Sequence, residues 1–471
     1  MRKLIRTVAL LIVFVFVVSA CQADEPEVVP EYETGSENNV NLGGFKLNWG
    51  YAKSGSKEEN VFGFIPGTAF ADLALQRKKD IENNNNCTID VTYGDFGSIG
   101  NVVQTSAMSG ESIFDIATDE SFVFVQYMRA GYLAGLSSRI DVLNTDKWGT
   151  PSMLQSLMWK DELYGVVPYA WPDLLYTTFG YPIAVNENLI AQYGHEDPRE
   201  YVEAGTWTWD TFEECLHQYT HPEADYTVYG MATHDAYFAM MMFLSNGVAL
   251  SEYADGSVVC GAYTDPGFAA LERAQQIYRV NCRECFHPDD NTANVVSNFK
   301  AGNSILLTTY GYDLLGHSNS IMYVMDNVGI LPYPQGPNAT PGEYKGYHES
   351  MRYSTSIPIN AKDRETAAFI LNAMYEPFDE YKTKEDIIEY MATQTFFDIR
   401  DARVYANMLE NNEYGFFLEG ARSLIQETVE SNSTVAQLRE KYESQYQEIV
   451  EKYIAHHYSA KVALYGDDTN E

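Results

Sequence analysis

The chain has 471 residues, a formal net charge of −35, 45% hydrophobic residues and 14% aromatic residues. The hydrophobic content excludes a disordered chain, and the length exceeds what a single hydrophobic core supports, so two or three structural units are expected. The strong negative charge repels nucleic acid and anionic lipid headgroups, which argues against both as partners.

The amino-terminal residues predict an export signal of the lipoprotein type at 1–20. Basic residues come first, an apolar run follows, and small residues precede Cys21. The apolar run is shorter than the ~20 residues that a membrane-spanning helix needs. We therefore expect cleavage before Cys21, a diacyl chain on its sulfur, and an acidic flexible tether over 21–44.

From residue 45 the chain alternates predicted strands and helices. Alternation at this spacing predicts a parallel sheet covered by helices. The predicted elements are strands 45–51, 87–93 and 113–118, helices 67–84 and 99–110, and a helix after the third strand.

The stretch "GTWTWDTFEECL" (205–216) raises the question of whether its tryptophans stack on a ligand. Thr208 is well placed as the N-cap of a helix, and acidic residues follow at its positive end. Trp207 and Phe212 then occupy the two positions of a hydrophobic staple. This pattern favours a structural role for Trp207, with Trp209 packing on the core.

After this stretch the pattern is mostly helical. The predicted elements are helices near 236–246, over 265–281 and over 363–375, strands within 297–315, 327–336 and 353–360, and an amphipathic helical tail from about 383.

Five cysteines remain beyond Cys21, an odd number that cannot all pair. Cys282 and Cys285 have the C-x-x-C spacing of redox and zinc sites, but no second such pair or paired histidine accompanies them in the sequence. The pattern therefore favours two incidental cysteines or one local disulfide over a metal site. The sequence predicts neither a metal nor a cofactor.

Six stretches carry a resemblance to a known family: "RKKDIENNNNCTIDVTY", "SAMSGESIFDIATD", "DELYGVVP", "TWTWDTF", "FKAGNSILLTTYG" and "IPINAKDRETAAFILNAM". In this order they resemble the extracellular solute-binding proteins of ABC importers, in particular those that take up sugars and oligosaccharides. The resemblance covers about 45–375. It does not extend to the long tail after 380, and "YHESMRYS" has no counterpart.

The resemblance implies an α/β fold with two discontinuous lobes, a hinge, and a ligand cleft between the lobes, as in periplasmic binding proteins. It predicts an N-terminal lobe from 45–170 and 303–345 and a C-terminal lobe from 171–302 and 346–471. Crossings between the lobes are then expected near 170–175, 298–303 and 340–353.

Ligands of open α/β sheets bind outside the carboxyl ends of the strands. Residues just after predicted strands are therefore the candidate ligand-binding residues, and they combine aromatic faces with the charged groups that sugar hydroxyls need. The candidates after predicted strands are Tyr51, Asp119, Glu120, Tyr310 and Tyr312. Further candidates are Trp171 and Asp173 at the first crossing, Tyr237 at the start of a predicted helix, and Arg352 near the third crossing.

Structural alternatives remain open for several of the candidates. Asp119 could cap a helix instead of meeting ligand, and Arg352 could bridge the lobes. Tyr310 and Tyr312 share one face of a strand, so at most one is expected to contact ligand.

The predicted function is capture of a carbohydrate, an oligosaccharide given the size of the chain, for delivery to the permease subunits of an ABC importer. The protein is expected to be a monomer held by its lipid anchor on the outer face of the cytoplasmic membrane of a Gram-positive bacterium. No catalytic residue is predicted, because the sequence has no G-x-S-x-G or H-E-x-x-H motif. The alternatives are an exported glycoside hydrolase, a binding protein for a polyamine or peptide, and a binding protein that serves a sensor kinase.

Overall fold

The computed structural model describes most of the chain between residues 39 and 466. Cys21, Asp173 and Arg352 lie outside the described residues, and so does the side chain of Tyr312. The described residues are 39–52, 61–64, 66–95, 97–167, 171, 180–254, 257–288, 292–315, 319–348, 353–414 and 419–466.

The strands of the described residues form two main sheets and two short hairpins. They are β1 (Phe45–Ala52), β2 (Cys87–Gly94), β3 (Ile116–Asp119), β4 (Met158–Trp159), β5 (Glu162–Leu163), β6 (Gly180–Asn186), β7 (His221–Pro222), β8 (Thr227–Ala232), β9 (Ser251–Ala254), β10 (Ser257–Cys260), β11 (Ser304–Tyr310), β12 (Val328–Leu331), β13 (Gly346–His348), β14 (Ser354–Ser356) and β15 (Asn412–Tyr414).

The α-helices of the described residues cover these sheets. They are α1 (Ala69–Asn85), α2 (Ser98–Ser109), α3 (Ser121–Arg129), α4 (Thr145–Trp148), α5 (Pro151–Leu154), α6 (Glu187–Tyr193), α7 (Arg199–Glu203), α8 (Trp209–Gln218), α9 (Asp235–Leu244), α10 (Asp265–Gln276), α11 (Thr292–Lys300), α12 (Gly311–Leu315), α13 (Ile321–Val324), α14 (Arg364–Met374), α15 (Lys384–Gln394), α16 (Ile399–Glu410), α17 (Glu419–Glu430), α18 (Val435–Ile449) and α19 (Ala455–Tyr465).

The first lobe is built on a four-stranded sheet with the order β14-β3-β1-β2. β1 is parallel to β2 and β3, and β14 is antiparallel to β3. Gly50 in β1 allows α2 to approach the sheet, because a Cβ at this position would lie 2.7 Å from Ile99 and 2.8 Å from Phe114. The strand–helix alternation predicted for this part of the chain is confirmed.

The second lobe is built on a seven-stranded sheet with the order β15-β13-β6-β11-β8-β7, in which β12 also pairs with β6. β11 is parallel to β8, and β11, β12 and β13 are antiparallel to β6. All residues of β11 before Tyr310 are buried, so this strand lies in the centre of the lobe.

The strand pairing contradicts the predicted division of the lobes. β11 and β12 lie within 303–345, which the sequence assigns to the first lobe, but both pair in the second sheet. β14 lies within 346–471, which the sequence assigns to the second lobe, but it pairs with β3 in the first sheet. The chain therefore returns to the first lobe after β13 and not before β11.

The crossing predicted at 298–303 is consequently wrong. α11 ends at Lys300 and packs on β11 and β8 of the second sheet, so the chain stays in one lobe through this turn. A fully buried apolar strand fits the centre of either sheet, and its sequence cannot distinguish between them.

The tryptophans of 205–216 have the predicted structural roles. The Thr208 side chain accepts a hydrogen bond from the amide of Thr211, which makes Thr208 the N-cap of α8. The rings of Trp207 and Phe212 meet edge to face with centroids 5.8 Å apart. The indole nitrogens of Trp207 and Trp209 donate to Pro332 and Ser245 inside the core, so neither side chain is available to a ligand.

The predicted helical tail is confirmed, and its last helix contacts the first lobe. α17 packs against α9, whereas α19 packs against β4 and the turn at 155–157. The described part of the chain contains no helix that is both long enough and apolar enough to cross a bilayer.

Candidate functional site

Four tyrosines meet at the carboxyl edge of the second sheet. The ring of Tyr181 lies 4.1 Å from that of Tyr237, 4.7 Å from Tyr310 and 5.9 Å from Tyr347, measured between centroids. The hydroxyl of Tyr237 donates to that of Tyr310 at 2.9 Å. We refer to Tyr181, Tyr237, Tyr310 and Tyr347 as the tyrosine cluster.

The topology of the second sheet brings these residues together. Tyr310 is the last residue of β11, and Tyr237 is in the first turn of α9, which follows the end of β8. β6 and β11 are antiparallel, so Tyr181 at the start of β6 lies beside the end of β11. Tyr347 in β13 pairs directly with Gly180.

The cluster offers both an apolar face and hydroxyl groups to a ligand. Within the cluster, Tyr181 and Tyr347 are buried, whereas Tyr237 and Tyr310 are only partly buried. His234 is also partly buried, and its ring centroid lies 4.8 Å from that of Tyr237. The His234 ring accepts a hydrogen bond from the amide of Ala236. A phenol can pack its face on the C–H groups of a sugar and bond a hydroxyl with its oxygen.

Two of the sequence candidates, Tyr237 and Tyr310, therefore lie in contact. The backbone of Tyr312 is in α12, directly after β11. Sequence reasoning missed Tyr181, Tyr347 and His234. His234 had a sequence signal as a residue between a strand and a helix, but the position of Tyr181 depends on the pairing of β6, which no local pattern reveals.

In the first lobe, Asp119 is buried at the end of β3 and stabilises a helix start. Its carboxylate accepts hydrogen bonds from the amides of Gly97 at 2.9 Å and Gly100 at 2.8 Å, at the start of α2. Burial raises the pKa of this carboxyl, and the bonds from Gly100 and Gly97 oppose the rise. Glu120, the next residue, is partly buried and is the N-cap residue of α3.

Tyr51 is fully buried at the end of β1. Its hydroxyl donates to the carbonyl of Phe62 at 3.0 Å, and the hydroxyl of Tyr93 accepts from the amide of the same residue. Burial raises the pKa of Tyr51 well above its usual range. In this arrangement Tyr51 supports the segment around Phe62 and does not line an open surface.

Trp171 is also fully buried, between aromatic side chains from distant parts of the chain. Its ring stacks on Phe64 at 5.4 Å and on Phe378 at 5.1 Å, and it meets Tyr375 edge to face at 4.9 Å. Its indole nitrogen donates to the carbonyl of Glu376 at 3.4 Å. Trp171 is thus a core residue of the first lobe in this structure.

A surface cavity of about 650 Å³ lies at the opposite end of the second sheet. Its lining includes Glu187 and Val328, which adjoin the end of β6 that is distant from Tyr181. Arg199 in its wall bonds the carboxylates of Asp197 and Asp401. Both arginines of this cavity, Arg199 and Arg400, are already paired with carboxylates, and the position of the cavity separates it from the tyrosine cluster.

Comparison with known proteins gives a family match. Residues 65–377 match the family model described as bacterial extracellular solute-binding protein. No curated protein sequence is significantly similar to the chain.

Solved structures of similar fold cover most of the chain. The GacH receptor of Streptomyces glaucescens, solved unliganded and with acarbose, is 12% identical, with a TM-score of 0.59 over 87% of this chain and 99% of that one. A sugar transporter protein of Rhizobium etli in an open conformation is 15% identical, with a TM-score of 0.59 over 85% and 99%. An ABC substrate-binding protein of Listeria monocytogenes in complex with cycloalternan is 15% identical, with a TM-score of 0.54 over 86% and 98%.

Proposed function

Because this chain belongs to the bacterial extracellular solute-binding proteins, we propose that it captures a carbohydrate, specifically an oligosaccharide, on the tyrosine cluster. The observation that carries this proposal is the bonded pair Tyr237 and Tyr310, which presents two partly exposed phenols at the carboxyl edge of the second sheet. This edge is where open α/β sheets bind their ligands.

The position of the cluster supports a ligand between the lobes. β13, which contains Tyr347, ends at His348 in the second sheet, and β14 begins at Ser354 in the first sheet. The cluster therefore lies beside a crossing between the lobes, where a hinge motion can close the first lobe over a bound ligand. Glu120, partly buried at the end of β3, is our candidate for a polar contact from the first lobe.

The ligands of the fold neighbours agree with this choice of substrate class. The Streptomyces protein was solved with acarbose and the Listeria protein with cycloalternan, and both ligands are built from several sugar-like rings. An extended ligand of this kind needs aromatic surface for its rings and hydroxyl or carboxylate groups for its polar edges.

We further propose that the bound sugar passes to the permease subunits of a separate ABC importer, and that Cys21 carries the lipid anchor on the outer face of the membrane. Delivery requires that capture leaves the sugar intact, so the protein has no hydrolytic role. Replacing Cys21 with Ser is expected to move the protein from the membrane fraction to the soluble fraction.

The test is a thermal-shift screen of the purified protein against linear and cyclic oligosaccharides, polyamines and peptides. A ligand at 100 times its Kd stabilises the native state by about 2.7 kcal/mol, which gives a measurable rise in Tm. We expect oligosaccharides alone to raise Tm, with no products by chromatography. Hydrolysis would support a glycoside hydrolase, and a shift with polyamines or peptides only would overturn the sugar assignment.

A further inference from the structure

Two thiols and one imidazole lie together in the second lobe, and none of them belongs to the tyrosine cluster. The sulfurs of Cys282 and Cys285 are 2.8 Å apart, and the Cys285 sulfur is 3.6 Å from Nδ1 of His217. One donor atom from each residue lies within 4.8 Å of the others. We refer to Cys282, Cys285 and His217 as the thiol–imidazole cluster.

The backbone after α10 brings the two sulfurs together. The amide of Cys282 donates to the carbonyl of Ile277 at 3.0 Å and closes a π-helical turn. The amide of Cys285 then donates to the carbonyl of Cys282 at 2.9 Å within a 3₁₀ turn. Both cysteine side chains are consequently fully buried on the same side of this turn.

Polar contacts hold this turn against α8, which carries His217 in its last turn. The side chain of Asn281 donates to the carboxylate of Glu213 at 2.6 Å, and Arg273 forms an ion pair with the same carboxylate at 2.7 Å. Glu213 is one helical turn before His217 on α8. The distance between the imidazole and the thiols is therefore set by contacts outside the cluster.

The donor types and one of the distances are those of a zinc site. Zinc in proteins prefers cysteine sulfur and histidine nitrogen, with bonds of about 2.3 Å and 2.0–2.1 Å in a tetrahedron. Such bonds place a sulfur and a nitrogen ligand about 3.5 Å apart, close to the observed distance between Cys285 and His217. The same bonds place two sulfurs about 3.8 Å apart, so the pair must separate by about 1 Å when zinc binds.

We propose that the thiol–imidazole cluster binds one zinc ion, with the carboxylate of Glu284 or a water molecule as the fourth ligand. A Glu284 oxygen lies 3.9 Å from Nδ1 of His217, and its side chain is 70% exposed. The His217 side chain is 46% exposed, which gives the ion a route to the buried sulfurs. A disulfide would account for the two sulfurs but not for the imidazole in contact with the sulfur of Cys285.

The experiment measures zinc binding by the reduced protein. The full-length chain is extracted in detergent, reduced with a phosphine, freed of metal by dialysis against a chelator, and titrated with zinc alone. We expect one zinc per chain and a rise in Tm on binding. Cobalt in place of zinc should give the near-ultraviolet absorption of a thiolate–cobalt bond.

Matched variants separate this site from adventitious binding. Cys285→Ser and His217→Ala should each weaken zinc binding at least about 100-fold. Losing a residue that only supports a metal ligand already lowers metal affinity by up to about 100-fold, and these two residues are proposed as ligands themselves. Cys87→Ser, which removes a buried free cysteine of the first lobe, should leave the affinity unchanged.

Two results would overturn the proposal. In one, the reduced chain takes up no zinc at micromolar concentration, and the intact mass measured before reduction shows a disulfide between Cys282 and Cys285. The other is zinc binding that His217→Ala leaves unchanged. His217 is exposed, so this variant is expected to fold, and its circular dichroism spectrum checks that it does.

Discussion

The hydroxyl of Tyr237 donates a hydrogen bond to the hydroxyl of Tyr310 at 2.9 Å, and this bond joins α9 to β11 at the carboxyl edge of the second sheet. The two residues are 73 positions apart in the sequence. Because each ring also packs on the buried Tyr181, the two partly exposed phenols are held in a fixed orientation. A rigid aromatic surface loses little conformational entropy when a ligand binds.

We expect Tyr237→Phe to weaken oligosaccharide binding about 5-fold, since one neutral hydrogen bond contributes about 1 kcal/mol. Tyr237→Ala also removes the ring, and we expect a loss of at least about 30-fold. Isothermal titration with the glycan selected in the thermal-shift screen measures both values.

Tyr226→Ala is the control for Tyr237, because Tyr226 is 56% exposed and is not part of the tyrosine cluster. Its affinity for the glycan should equal that of the unmodified protein. If Tyr226→Ala and Tyr237→Ala weakened binding equally, or if neither did, the tyrosine cluster would not be the site.

Because Trp171 is buried in the core, its substitution is expected to lower the stability of the protein and not to remove a ligand contact. We expect Trp171→Ala to lower the free energy of unfolding by about 3–5 kcal/mol, as large-to-small changes in a core do. The cavity would lie beside Phe64 and Phe378, which both stack on the Trp171 ring. Urea denaturation followed by circular dichroism measures the loss.

Trp171→Phe provides the matching control, because it keeps an aromatic ring in the same cluster and should cost less stability than Trp171→Ala. Its glycan affinity should stay close to that of the unmodified protein. A Trp171→Ala protein with unchanged stability and abolished binding would instead show that this tryptophan contacts the ligand directly.

Local patterns predicted those features that depend on neighbours in the sequence. The staple of Trp207 and Phe212 and the N-cap at Thr208 lie within six consecutive residues, and all three were predictable. Tyr310 was identified because it lies at the end of a predicted strand, and Tyr237 because it lies at the start of a predicted helix. The position of a residue along its own element is a local property, and it requires no knowledge of which strands pair.

Features that depend on pairing between distant segments could not be predicted. β11 joins the second sheet because β6 and β8 flank it, and its own apolar sequence suits either lobe. The burial of Trp171 depends on Phe378, a contact that spans more than 200 residues. Likewise, His217 reaches Cys285 only because the turn after α10 packs on α8.

Asp119 gives a third prediction, which concerns the start of α2. Asp119→Ala leaves the amides of Gly97 and Gly100 without their carboxylate acceptor, and we expect a loss of about 1–3 kcal/mol in stability. Hydrogen exchange at these two amides should become faster. Asp80→Ala, on the exposed face of α1, should change neither property.

If Asp119 contacted the ligand directly, Asp119→Ala would abolish glycan binding while the exchange rates of Gly97 and Gly100 stayed unchanged. That outcome would remove Asp119 from the list of structural residues. It would also add Asp119 to Glu120 as a ligand contact from the first lobe.

His457 gives a prediction for pH dependence. Its Nε2 lies 2.9 Å from a guanidinium nitrogen of Arg129, and its Nδ1 lies 3.1 Å from the carbonyl of Gln155. The contact with the guanidinium means that Nε2 accepts, so the neutral ring carries its proton on Nδ1. Burial, with a contribution from Arg129, lowers the pKa of His457 to about 3. These contacts attach α19 to the first lobe.

The sign of the effect follows from proton binding by the two states. An unfolded histidine has a pKa of about 6.5, so between about pH 6.5 and pH 3 the unfolded chain binds a proton at this position and the folded chain does not. Stability from His457 is therefore complete above about pH 6.5 and is lost progressively as the pH falls. At pH 4.5 the loss from this one group is about 2–3 kcal/mol.

The measurement compares urea denaturation of the unmodified protein and His457→Gln at pH 7.5 and pH 4.5. All other titratable groups are the same in both proteins, so the difference between the two pH-dependent losses of stability reports on His457. We expect His457→Gln to lose about 2–3 kcal/mol less on acidification than the unmodified protein. Equal losses would mean that His457 is protonated in the folded state and that its contact with Arg129 is absent in solution.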